Sequence, residues 1–219
     1  MSISKLKKLQ KLRKEFLRKS IHLTGVFLIL AHALLRFYWT DRAALLFLAA
    51  VLLILLKIEY LRLEYKFDLP EALKLFRHKE KNHAAGWIFF VSAMIIVFAA
   101  FDYEIALTAL LMTMFGDMFS ALVGMKFGKK KLFRKKTLVG FVAGLISNIL
   151  TGVVILGNFP ALILTMALMA SLIELITNKM DDNLTVPLFA AYSGHLILLA
   201  SGETARFSEL VWWFLGFFI

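Results

Sequence analysis

The chain has 219 residues, 60% of them hydrophobic, with no cysteine and a net charge of +11. That hydrophobic fraction excludes an ordinary soluble domain, and the lack of cysteine excludes disulfides and cysteine-ligated metal sites. The charge does not indicate nucleic acid, because the cations are confined: eight in residues 5–19, seven in 57–81, seven in 126–136 and one at Lys179, against only Arg36, Arg42 and Arg206 elsewhere.

Residues 1–19 place Ile3, Leu6, Leu9, Leu12 and Phe16 on one stripe among lysines. They read as a basic amphipathic helix on an anionic lipid surface, and show no secretory signal pattern. Apolar runs of spanning length then recur at 20–37, 42–61, 84–101, 104–124, 138–157, 159–177 and 184–200. The last apolar segment, 208–219, has 12 residues. That is too short to cross a hydrocarbon core of ~30 Å at ~1.5 Å per residue. The expected fold is an all-α polytopic membrane protein, with residues 20–219 forming a single transmembrane catalytic domain. If the spans alternate, 23 of the 26 cations fall on one side. The positive-inside rule then makes the N-terminus and the loops 62–83, 125–137 and 178–183 cytoplasmic. The membrane is the cell membrane in a prokaryote and the endoplasmic reticulum in a eukaryote. Within 62–83, Asp68-Leu69-Pro70-Glu71 resembles a capping box before Leu69, Ala72, Leu73 and Phe76, predicting a short amphipathic surface helix.

Carboxylates inside spans are costly and need a reason. Asp117 lies about two turns from the cytoplasmic end of the fourth span, beside Gly116, and Glu174 about one turn from that end of the sixth. Asp181, Asp182 and Asn183 form the next loop. Such oxygen-rich groups suit magnesium, which takes one or two carboxylates plus substrate phosphates. The alternative is that Asp117 and Glu174 form structural ion pairs with Lys or Arg of adjacent loops. Between the fourth and fifth spans, Gly124 leads into eleven residues, Lys126–Lys136, that hold seven cations and Gly128, followed by Thr137 and Gly140. Glycines allow backbone approach to phosphate, lysines neutralise a triphosphate, and the amides opening a helix at Thr137 can join in. Lys136 and Thr137 are the favoured phosphate ligands, and Lys129 to Lys131 mostly screen charge. The segment is not a Walker A loop, since Lys129 is followed by Lys130. Glu59 and Arg62 are spaced to pair with each other at a helix end. His22, at the start of the first span, reads as structural more readily than chemical.

With these residues in place, the chain resembles the polyprenol kinase family, which groups dolichol kinases, phytol and farnesol kinases, and CTP-dependent diacylglycerol kinases. The marks are Arg18-Lys19 with His22 and Gly25, Glu59 with Arg62, Gly86, Gly116-Asp117, Ala121, Gly124, Phe127-Gly128-Lys129, Lys136-Thr137, Gly140, Glu174, and Asp182-Asn183-Leu184 with Val186-Pro187. The central block is also similar to that of phosphatidate cytidylyltransferases, which implies CTP as the shared nucleotide. The C-terminal DDNLTVPL has the kinase form.

The resemblance implies transfer of the CTP γ-phosphate to a membrane polyisoprenoid alcohol. Asp117 and Asp182 would hold Mg²⁺, with Asn183 as polar ligand or aligner. Gly124, Gly128, Lys129, Lys136, Thr137 and Gly140 would bind phosphates, and Glu174 or one of the aspartates would act as base. Arg18, Lys19, His22, Glu59, Arg62 and Asp181 are secondary candidates. A diacylglycerol kinase and a cytidylyltransferase are the enzymatic alternatives, and a transporter the non-enzymatic one. The charge asymmetry is checked by labelling: Lys130→Cys and Asn158→Cys should react from opposite faces of sealed vesicles, and same-face reaction would overturn the span assignment.

Overall fold

The computed structural model describes residues 25–65, 84–134, 136–177 and 180–202. The expected N-terminal helix with Arg18, Lys19 and His22, the surface helix after Asp68, and the 208–219 segment lie outside the described residues. The chain divides into two compact units, Met1–Ile95 and Ile96–Ile219. Seven helices are found among the described residues, one for each expected span: α1 (Gly25–Tyr38), α2 (Asp41–Glu64), α3 (Gly86–Ala100), α4 (Tyr103–Phe127), α5 (Leu138–Leu156), α6 (Pro160–Ile176) and α7 (Asp182–Ser201). The fold is that of an all-α polytopic membrane protein. By length and composition α2, α4, α5 and α7 can cross a membrane, while α1, α3 and α6 are shorter apolar helices.

Local chemistry sets the helix ends. Thr40 caps α2 by accepting from Ala43 N–H, Pro160 opens α6, and Asp181 caps α7 through Asn183 N–H. Gly157 (φ 63°) and Gly202 (φ 68°) end α5 and α7 in conformations that side chains disfavour. One feature departs from the all-helical expectation. A two-stranded antiparallel hairpin, β1 (Lys131–Phe133) with β2 (Lys136–Thr137), joins α4 to α5. Helix α4 also runs three residues beyond the expected end of its span.

In the first unit α1 packs on α2, and Ala44 and Leu48 of α2 are buried. Glu59 near the end of α2 pairs with Arg62 through both carboxylate oxygens, Oε2 accepting from Arg62 Nε at 2.9 Å. Its Oε1 also accepts from Ala85 N–H at 2.8 Å, just before α3 begins. The expected i, i+3 pair is therefore present, with an added backbone tether.

The second unit is a four-helix bundle in which α4 packs on α5, α6 and α7, with further contacts between α5 and α6 and between α6 and α7. Helix α4 is its centre, with Ile105 to Leu110 all buried. The outward surfaces are apolar stripes, such as Leu164, Leu168, Leu172 and Ile176 on α6. The polar side chains of Thr113, Asn148, Ser171 and Glu174 are instead buried. Apolar outside and polar inside is the arrangement a bilayer favours, with small residues letting backbones approach. Gly116, Ser120 and Gly124 of α4 meet Gly140, Gly144 and Asn148 of α5 along such a seam. A Cβ on Gly140 would lie 2.7 Å from the Ser120 carbonyl, and one on Gly144 3.0 Å from Ser120 Cβ. Gly140→Val should therefore cost about 1–3 kcal/mol through overpacking, read as a lower melting temperature in detergent. The lipid-facing Leu150→Ala should change little, and an unchanged Gly140→Val midpoint would refute the close seam.

Candidate active site

The hairpin end of the bundle gathers the end of α4, the start of α5, the end of α6 and the start of α7. Its centre is Glu174 of α6, only 7% exposed. An ionised carboxylate that deep needs partners. Ser120 Oγ, from α4, donates to Oε1 at 2.6 Å. Lys136 Nζ, from β2, lies 3.4 Å from the same oxygen and also donates to the Glu174 backbone carbonyl. The Lys136 side chain stays 37% exposed. It thus joins the buried carboxylate to the open surface. Of the two roles considered for Glu174, base and ion-pair partner, the geometry displays the pair. Ser120 was not singled out in the sequence. The available signal was its position three residues after Asp117 and four before Gly124, on one helical face.

Around this pair the backbone is tightly packed. Thr137 caps α5, its Oγ accepting from Gly140 N–H at 3.2 Å. Leu138 N–H donates to the Lys130 carbonyl at 3.1 Å. Two of the amides opening α5 are therefore already engaged. Gly124 and Gly128 border the Thr137 side chain, and a Cβ on Gly128 would collide with it and with the Gly124 carbonyl. These glycines permit close approach of α4, β2 and α5. Deeper in, Asn148 Nδ2 donates to Ser171 Oγ at 3.0 Å, tying α5 to α6, and the amide of Asn148 occupies the space a Cβ on Gly116 would need. Lys126, Lys129, Lys130, Lys131 and Arg134 are exposed around the hairpin.

The remaining candidates lie on α4 and α7. Asp117 is half-buried on α4, one turn before Ser120, and Asp182 is half-buried as the first residue of α7. Asp181 is buried and spends Oδ1 on the cap, accepting from Asn183 N at 3.1 Å and Nδ2 at 2.7 Å. Asn183 is thereby held by the cap. Pro187, inside α7, has no N–H to give the Asn183 carbonyl four residues back. Among the described residues no three Asp, Glu or His side chains form a group that could hold a metal ion by themselves. Asp117 and Asp182 carry only oxygen donors, the kind magnesium takes together with substrate phosphates and not the nitrogen or sulfur donors of a structural zinc. Glu59 and Arg62 belong to the other unit.

A probable chloroplastic phytol kinase from Triticum aestivum is 30% identical over 212 residues, covering 86% of this chain and 68% of that protein. The chain belongs to the polyprenol kinase family. No family model matches it, and no solved structure matches it. As a polyprenol-type lipid kinase it has a membrane-embedded scaffold, with a lysine-rich hairpin above an internal carboxylate.

The Lys136–Glu174 pair of this kinase has a thermodynamic signature. Lys136→Met strands a buried carboxylate, although partial exposure of the pair reduces the loss to about 1–3 kcal/mol. Glu174→Gln keeps an acceptor for Ser120. The double variant should recover part of the loss, giving a coupling energy of about 1–2 kcal/mol in a double-mutant cycle. Strictly additive losses would mean that the two groups do not interact.

Proposed function

We propose that this lipid kinase transfers the γ-phosphate of CTP to the hydroxyl of a membrane isoprenoid alcohol, at the hairpin end of α4–α7. The observation that carries the reading is Lys136, presented at the surface by a short hairpin ringed with exposed cations and tied to the bundle interior through Glu174. Phosphoryl transfer depends on positioning and charge neutralisation more than on covalent help. The exposed lysines and Arg134 draw in the triphosphate, and Lys136 contacts it. Thr137 and Gly128 shape the floor beneath it.

Glu174 is a positioning residue in this reading. Its carboxylate fixes Lys136 and is itself fixed by Ser120, so the hydroxyl proton of the acceptor goes to one of the two aspartates, Asp117 or Asp182. Asp117 and Asp182 would hold magnesium, which when bound would supply charge neutralisation for the transferring phosphoryl group. Asp181 and Asn183 keep the start of α7 in place beside them. CTP rather than ATP follows from the central block shared with cytidylyltransferases. The exposed basic loops face the cytoplasm, where the nucleotide is found.

Purified protein with Mg²⁺, γ-labelled or α-labelled CTP or ATP, and a panel of dolichol, geranylgeraniol, phytol and diacylglycerol tests the reading. Label from the γ position on an isoprenoid alcohol supports it. Label from the α position would indicate cytidylyl transfer, and preference for diacylglycerol would name another kinase. CTP with Mg²⁺ at ~100 times its Kd should stabilise the protein by ~2.7 kcal/mol, more than ATP does, and EDTA should remove the difference.

Asp117→Asn and Asp182→Asn should each cut specific activity by ~100-fold or more while the protein still folds. Their combination should be little worse, because either change disables the same metal site. Near-normal turnover per folded molecule in either variant would remove that aspartate from the site.

A further inference from the structure

A groove of about 500 Å³ runs along the outer side of the α4–α5 seam, and its lining is almost wholly apolar. Its size falls within the ~300–1,000 Å³ typical of small-molecule sites. Phe115 and Phe119 of α4 form one wall, and Leu150 stands on the other. The floor is low because α5 carries Ala143, Ser147 and Thr151 at four-residue intervals. The Thr151 hydroxyl donates to the Ser147 carbonyl at 2.9 Å and is thus satisfied within its own helix.

The groove ends at the level of the polar cluster. Phe119 immediately precedes Ser120, and Ala143 immediately precedes Gly144. A Cβ on Gly144 would lie 3.0 Å from Ser120 Cβ and 3.9 Å from Glu174 Oε2. From Ala143 to Ile155 the lining extends ~18 Å along α5 at ~1.5 Å per residue. Lipid tails are as apolar as these side chains, so transfer from the bilayer gives no hydrophobic gain and only shape can favour one chain over another. The small floor residues recur every ~6 Å, a regular relief that suits a chain branched at regular intervals better than a straight one.

Resting on the lipid-kinase reading above, we infer that this groove seats the first few isoprene units of the acceptor, with the hydroxyl at the Ser120–Glu174 level. Rate then depends on chain length only up to the end of the groove. Longer chains continue into the bilayer.

The test uses the full-length protein in mixed micelles. Ala143→Phe and Thr151→Phe, which fill the floor, should each raise KM for geranylgeraniol tenfold or more while the CTP-induced thermal shift persists. Leu168→Phe, on the lipid face of α6, should not. Separately, a geranylgeraniol analogue with a diazirine near the middle of its chain should label α4 and α5. Excess geranylgeraniol should compete for that labelling better than diacylglycerol does. Unchanged KM in both floor variants, labelling spread evenly over α5, α6 and α7, or equal competition by diacylglycerol would each overturn the inference. If no acceptor is phosphorylated, the kinase reading fails, and competed labelling still decides whether the groove binds an isoprenoid.

Discussion

A carboxylate withdrawn from water must find its partners inside the protein, at a penalty of several kcal/mol if it does not. Glu174 is in that position, and what satisfies it comes from separate parts of the chain. Ser120 supplies a hydroxyl from α4, and Lys136 supplies a charge from β2. For Lys136 to arrive there, the chain leaving α4 must double back before α5 starts. The β1–β2 hairpin makes that reversal. Capping of α5 by Thr137 then fixes where the following helix begins. The position of one buried charge thus accounts for the geometry of a whole end of the bundle.

The second constraint is contact distance. Between helices in a bilayer, association relies on packing, because lipid solvates apolar side chains as well as protein does. Gly140 and Gly144 bring α5 against the backbone of α4. The same closeness lets the Ser120 hydroxyl reach across to Glu174, so packing and polar chemistry use the same residues. The pattern on α5 also separates two surfaces. Gly140, Gly144 and Asn148 face the seam, and one residue earlier Ala143 and Ser147 face the groove.

Much of the fold was legible because spans and charges are local signals. Each expected span became a helix, and the Glu59–Arg62 pair formed at its i, i+3 spacing. The hairpin was not legible, since Lys131–Phe133 and Lys136–Thr137 are too short to carry a strand pattern and sit in a run dominated by charge. The site was partly legible. Asp117, Glu174 and Lys136 drew notice as carboxylates in spans and a cation beside one. That Lys136 would meet Glu174, across 38 residues of chain, cannot be read from spacing. Ser120, Asn148 and Ser171 escaped because a hydroxyl or amide in an apolar run is common, and its partner is known only when the helices are packed. Gly124, Gly128 and Gly140 show the converse ambiguity, since a glycine that admits a phosphate and one that admits a neighbouring helix look alike in sequence.

The bond from Ala85 N–H to Glu59 joins the end of α2 to the start of α3. The two helix ends are therefore pinned by a clamp of their own. Removing the Glu59 carboxylate would therefore do more than end an ion pair with Arg62: it would uncouple the exit of α2 from the entry of α3.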